Sequence, residues 1–158
     1  MRGVHYKNRT GMVRELTHYI GGQHVAGASG NFADVFDPNT GQVQARVPLA
    51  SKAEVDAVIA NAAEAQQVWA AFNPQKRARV LMKFLTLVQD EMDSLAALLS
   101  AEHGKTIPDA KGDIQRGIEV IEFAAGIPHL LKGEYTKSAG TGIDVYSMRQ
   151  PLGVVAAI

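Results

Sequence analysis

Arg116 has the setting in this sequence that most invites chemistry. It stands at i, i+4, i+7 and i+11 with Val120, Phe123 and Ile127. At about 100° per residue, those positions form one apolar stripe of a helix. A guanidinium among apolar groups needs a partner, because an unpaired buried charge is costly. A structural arrangement would satisfy it: an ion pair with Asp113 or Glu119 one turn away, or a side chain that reaches back to water. A functional arrangement would also satisfy it, since a guanidinium clamps a carboxylate through paired hydrogen bonds. The residue pattern alone leaves both open.

Other reactive-looking groups carry less. Gly104-Lys105-Thr106 has the ending of a phosphate-binding loop, but Leu99 stands where that loop needs its first glycine. Gly140-Thr141-Gly142 looks like the start of a dinucleotide turn, but Val145 replaces its third glycine and a strand pattern follows. The histidines show no close pair at helical ligand spacing, so no metal site is expected. Lys76, Arg77, Arg79 and Lys83 read as a solvated basic helix face, with phosphate binding the lesser alternative. The absence of cysteine removes disulfides, thiolate metal sites and a cysteine nucleophile from these 158 residues.

The elements that must position Arg116 can be read from periodicity. With 46% hydrophobic and 20% charged residues, the chain is globular in composition. Sixteen basic residues balance sixteen acidic ones, which leaves no electrostatic footprint for nucleic acid or an anionic membrane. No apolar run approaches the roughly 18 residues of a membrane span. The first third reads as short strands. Gly21-Gly22 marks a hairpin between residues 19 and 25, and Asp37-Pro38-Asn39-Thr40-Gly41 turns between strands over 32–36 and 43–47. Ser51 and Glu54 form a capping box that starts a helix ending near Phe72. Asn73-Pro74 opens a longer helix that runs to a stop at Gly104, with Lys105 near the negative end of its dipole.

A third helix is expected from about Pro108 toward Leu131. Ile114, Ile118, Ile121 and Ala125 share one face, opposite Val120, Phe123 and Ile127. A helix apolar on both sides is sandwiched between layers. Gly112 and Gly117 inside it suggest close approach by a neighbouring backbone. Gly126 and Pro128 should fray its end. Strands over Ile143–Met148 and Val154–Ile158 close the chain. Residues 1–15 read as a flexible tail, with Met1 and Met12 as alternative starts.

Taken together, HYIGGQHVAG, DVFDPNTGQVQARVPLAS, AEHGKTIPDAKGDIQRGIEVIEFAAG and SMRQPLGVVAAI resemble the N-terminal part of the aldehyde dehydrogenase superfamily. Within it, they are most similar to the CoA-acylating, methylmalonate-semialdehyde branch. The resemblance runs from about Leu16 to Ile158. It implies an α/β fold: short antiparallel strands of an oligomerisation arm, three helices, and the start of a Rossmann-like cofactor domain at Val154–Ile158.

The resemblance also implies the reaction of a parent enzyme. Methylmalonate or malonate semialdehyde adds to the family's cysteine, hydride passes to NAD, carbon dioxide leaves, and CoA carries away propionyl or acetyl. Such chemistry belongs to valine or inositol breakdown. Cytoplasmic, homo-oligomeric behaviour as a dimer or tetramer goes with it. Arg116 matches the arginine of the family's RG-x-E stretch, which resembles a clamp for the substrate carboxylate. The family's cysteine and NAD contacts lie beyond Ile158, so the chain alone is expected to be inactive and to bind neither NAD nor CoA well. Its uncovered apolar face is expected to make it self-associate. A non-catalytic oligomerisation module and a piece of another aldehyde dehydrogenase are the alternative readings.

Overall fold

The computed structural model describes residues 13–158. Most of the expected tail, and the choice between Met1 and Met12, lie outside them. Arg14–Glu15, assigned above to the tail, instead form strand β1. It pairs in parallel with β5, Arg14 opposite Ala45.

Strands β2 (His18–Ile20) and β3 (Gln23–Val25) form the expected hairpin. Gly21 and Gly22 both have positive φ, 59° and 79°, as a tight hairpin turn requires. β4 (Phe32–Phe36) and β5 (Val43–Pro48) are antiparallel, giving the sheet order β1-β5-β4. The turn between them is set by Asp37, whose Oδ1 accepts from Asn39 N–H at 2.8 Å. Ala45 and Pro48 are buried on β5, and on the wet side Arg46 pairs with Asp34 at 3.1 Å.

Helix α1 (Lys52–Ala71) begins at the capping box. Glu54 N–H donates to Ser51 Oγ at 3.3 Å, and Ser51 N–H donates to Glu54 Oε2 at 2.8 Å. The other carboxylate oxygen of Glu54 accepts from Ala28 N–H at 2.6 Å, which ties the β3–β4 loop to the helix. No residue of α1 is buried, so this tie matters. The Ala28 N–H, and then Ser51, hold the Glu54 carboxyl at about 2, below its ordinary 4.5. A depressed carboxylate stabilises the fold above its unfolded pKa and loses that contribution as pH falls through the folded value. Glu54→Gln is therefore expected to flatten the stability profile between about pH 4.5 and about 2. Parallel wild-type and variant slopes in acid unfolding followed by circular dichroism would contradict this.

The longer helix of the sequence reading is divided. α2 (Pro74–Asp90) starts on the Asn73 cap, and α3 (Met92–His103) follows after Glu91. Glu91 sits at φ −100°, ψ 15°. Ser94 Oγ donates to its carbonyl at 2.9 Å and reaches its carboxylate at 2.6 Å. Such local side-chain bonds compete with the helical ladder. α4 (Ile107–Ala125) packs against α2 and α3, burying Ala110 and Ile118. Gly126 ends it, and the single turn α5 (Ile127–Leu130) follows.

Three other expectations change. A Cβ on Gly112 or Gly117 would meet nothing within 4 Å. Both lie on exposed positions of α4, so no backbone of the described residues approaches them. Val154–Ile158 forms no strand, because no described segment lies beside it to take its N–H and C=O groups. Gly153–Val155 instead borders an apolar groove of about 740 Å³ against Ala62–Phe72 of α1. Finally, β7 (Ile143–Tyr146) stops short of Met148 and pairs with β6 (Tyr135–Gly140), a strand without apolar alternation. Gly140-Thr141-Gly142 is the turn of that hairpin.

Candidate functional site

The site is built on α4, and its geometry begins at the α3–α4 corner. Gly104 caps α3 in the left-handed conformation at φ 84°. A Cβ there would also meet Pro38 Cβ and Cγ at 3.1 Å. Gly104→Ala is expected to cost roughly 1–2 kcal/mol from the left-handed backbone alone, read as a lowered thermal midpoint. An unchanged midpoint would mean that the corner can re-form without glycine. Thr106 caps α4 by accepting from Asp109 N–H at 3.4 Å, with Pro108 in the first turn. Gly104-Lys105-Thr106 is thus a helix stop and a helix start in succession, not a phosphate loop.

Lys105 departs from the sequence reading. It does not serve the end of α3. Its backbone carbonyl accepts from Ser100 Oγ at 2.7 Å, and its ammonium reaches forward along α4. There it pairs with Asp109 at 3.0 Å and with Asp113 more closely still. Its side chain is only 14% exposed. The hydrogen bond to Asp113, then that to Asp109, raises the Lys105 pKa. In turn, Lys105 is the main cause that lowers the Asp113 pKa, with a smaller contribution from the charge of Arg116. The spacing carried part of the signal: Asp109 and Asp113, four apart, share one face of α4, and Lys105 stands just ahead of its cap.

Arg116 lies one turn beyond Asp113. It is exposed, and among the described residues it makes no hydrogen bond and no ion pair within 4 Å. The pair with Asp113 or Glu119 is therefore not formed, and Asp113 is held by Lys105 instead. Below Arg116, Val120 is 67% and Phe123 68% exposed, with Ile127 at the lower end of the stripe. The opposite face, headed by Ile118, is packed. The face thus presents a guanidinium above open apolar surface. Chemically, it can hold a short molecule with a carboxylate at one end and an apolar or carbonyl portion beyond it.

No described helix is long and apolar enough to cross a membrane. No described cluster of histidine and acid groups could hold a metal.

The described residues thus form an α/β unit, with short strands ahead of a helical layer and an exposed arginine at the head of an exposed apolar stripe on that layer. The chain belongs to the aldehyde dehydrogenase family, whose model matches residues 24–158. It is 45% identical over 145 residues to malonate-semialdehyde dehydrogenase of Geobacillus thermodenitrificans, covering 92% of this chain and 30% of that protein. It is 41% identical over 147 residues to the mitochondrial acylating methylmalonate-semialdehyde dehydrogenase of Arabidopsis thaliana, covering 93% of this chain and 24% of that protein. Among solved structures, it superposes on methylmalonate-semialdehyde dehydrogenase of Oceanimonas doudoroffii with a TM-score of 0.83 at 40% identity, covering 89% and 28% of the two chains. A Sinorhizobium meliloti protein assigned to the same activity and solved with NAD gives a TM-score of 0.86 at 58% identity, covering 90% and 29%. The matched region is the N-terminal part of these proteins.

Proposed function

We propose that residues 16–158 are the N-terminal part of an NAD-dependent, CoA-acylating dehydrogenase of methylmalonate or malonate semialdehyde. In this reading, Arg116 holds the substrate carboxylate. The observation that carries the reading is that Arg116 is exposed and unpaired among the described residues at the head of an apolar face. The likeness to malonate- and methylmalonate-semialdehyde dehydrogenases supports it. Both proposed substrates pair a carboxylate with an aldehyde on a short carbon skeleton. Two parallel N–H···O bonds fix the carboxylate, and with it the direction in which the carbonyl points. The apolar stripe beside it offers contact to the carbon skeleton between.

In this reading, NAD and CoA are held mainly by other elements of the parent enzyme. The passage from β5 to α1 through Leu49–Ser51 contains no glycine, and the Glu54 N–H of the first turn of α1 is taken up by Ser51 Oγ. That passage lacks the glycine-rich turn of a dinucleotide cradle.

The same reading makes the protein a cytoplasmic homo-oligomer, a dimer or a tetramer. The exposed apolar side chains of the β6–β7 hairpin, Tyr135, Ile143, Val145 and Tyr146, support association. The decisive assay supplies malonate semialdehyde, NAD and CoA to the protein expressed from its intact gene. Acetyl-CoA is expected to appear in step with NADH. NADH without a CoA thioester, or oxidation of uncharged aldehydes only, would overturn the assignment.

A further inference from the structure

We propose that Lys105 is a positioning residue for Arg116: by holding Asp113, it keeps the Arg116 guanidinium free to take a substrate carboxylate. This rests on the reading of Arg116 as the carboxylate clamp. The geometry has a definite logic. Asp113 and Arg116 are three residues apart on α4, the spacing at which an acid and an arginine on a helix surface normally pair. A clamp whose own neighbour neutralises it binds substrate poorly, because the substrate must first displace that neighbour. In this structure the pair is absent, and Asp113 lies on the Lys105 ammonium instead.

Lys105 is well placed to hold Asp113 in this way. It sits between the left-handed Gly104 and the Thr106 cap, with its carbonyl held by Ser100 Oγ at 2.7 Å. Its side chain is 14% exposed, whereas that of Asp113 is 41% exposed. The ammonium is thus largely ordered before any substrate arrives. Asp109 shares it at 3.0 Å and fixes it from the other side. The charges of Lys105 and Arg116 balance those of Asp109 and Asp113, so an arriving carboxylate meets a guanidinium and no uncompensated acid. If the lysine is removed, two carboxylates remain one turn apart with Arg116 as the nearest cation on their helix face.

The test compares discrimination, the ratio of kcat/KM for malonate semialdehyde to that for propanal, in the protein expressed from its intact gene. Lys105→Gln is expected to lower the ratio about fivefold, the scale of one exposed ion pair. Adding Asp113→Asn to that variant is expected to restore it, because the competitor for Arg116 is gone. A general structural defect would lower both activities and leave their ratio alone. An unchanged ratio in Lys105→Gln, or a lowered ratio that Asp113→Asn fails to restore, overturns the proposal while the clamp reading stands. Should Lys105→Gln not fold, Asp113→Asn alone decides: a ratio held or raised agrees with the proposal, and a fall overturns it. If Arg116→Ala leaves the ratio unchanged, the clamp reading falls and this proposal falls with it.

Discussion

Arg116→Ala, made in the protein expressed from its intact gene, is expected to lower kcat/KM for malonate semialdehyde relative to propanal by about 10- to 100-fold. That is the range carried by hydrogen bonds between a charged donor and a charged acceptor. The effect should lie mainly in KM, because the carboxylate is bound alike in the ground and transition states. Any share in kcat would report that the arginine also aligns the carbonyl. Arg116→Lys keeps the charge but loses the planar fork, so it should recover only part of the discrimination. The reason to expect so large an effect is that Arg116 makes no hydrogen bond or ion pair with the described residues. Its donors are not committed within the fold, so the substrate would receive them in full. Equal loss of both aldehyde activities would mean that the substitution damages α4. Undiminished discrimination would place the carboxylate elsewhere.

The parts of this fold that were legible in the sequence are those specified locally. Gly21-Gly22, Asp37 with Gly41, the Ser51–Glu54 box and the Asn73-Pro74 start each determine their backbone through neighbours a few residues away. All of them form as expected. What was not legible depended on partners. No strand is expected at β6, because Thr136, Lys137, Ser138 and Ala139 lack apolar alternation. It becomes a strand through pairing with β7, with Ser147 N–H donating to Glu134 O at 2.9 Å. Val154–Ile158 shows the reverse: it has a strand's composition but no described strand to pair with, and it remains irregular. The break at Glu91 could be missed because the apolar stripe runs straight through it.

The same division holds for the site. The position of Arg116 on an apolar stripe follows from helical spacing. Whether it was paired did not, because Asp113 had a competing cation in Lys105, sent forward along α4 by the geometry of a capped corner. Assigning Lys105 to the dipole of α3 overlooked the acids that lie four and eight residues ahead of it. The two acids, as charged hydrogen-bond partners, outweigh the partial charge of a helix end.

The face that keeps α4 in place should yield the second large effect. Ile118 is 2% exposed and is the largest side chain in the described chain to be so fully buried. It lies on α4, which packs against α2 and α3, about three turns beyond the corner that sets Lys105. Ile118→Ala is expected to cost about 2–5 kcal/mol, as transfer energy lost plus the cavity left behind. Ile118→Val, which removes a single methylene, should cost about 0.5–1.5 kcal/mol. At roughly 2–4 °C per kcal/mol for domains of this size, the alanine variant should melt about 5–15 °C lower and the valine variant only slightly lower. Thermal unfolding of the two variants side by side checks the grading. The other buried positions of the helical layer are Ala78, Ala96 and Ala110, at 2%, 0% and 0% exposed. Alanines have no spare volume to swing into a void, so collapse around the lost side chain should be limited and the cost should lie toward the upper end. A loss in Ile118→Ala no larger than in Ile118→Val would show that the helices close over the gap. The packing of α4 would then be loose enough to let Arg116 shift, and the positioning argued for it would lose its foundation.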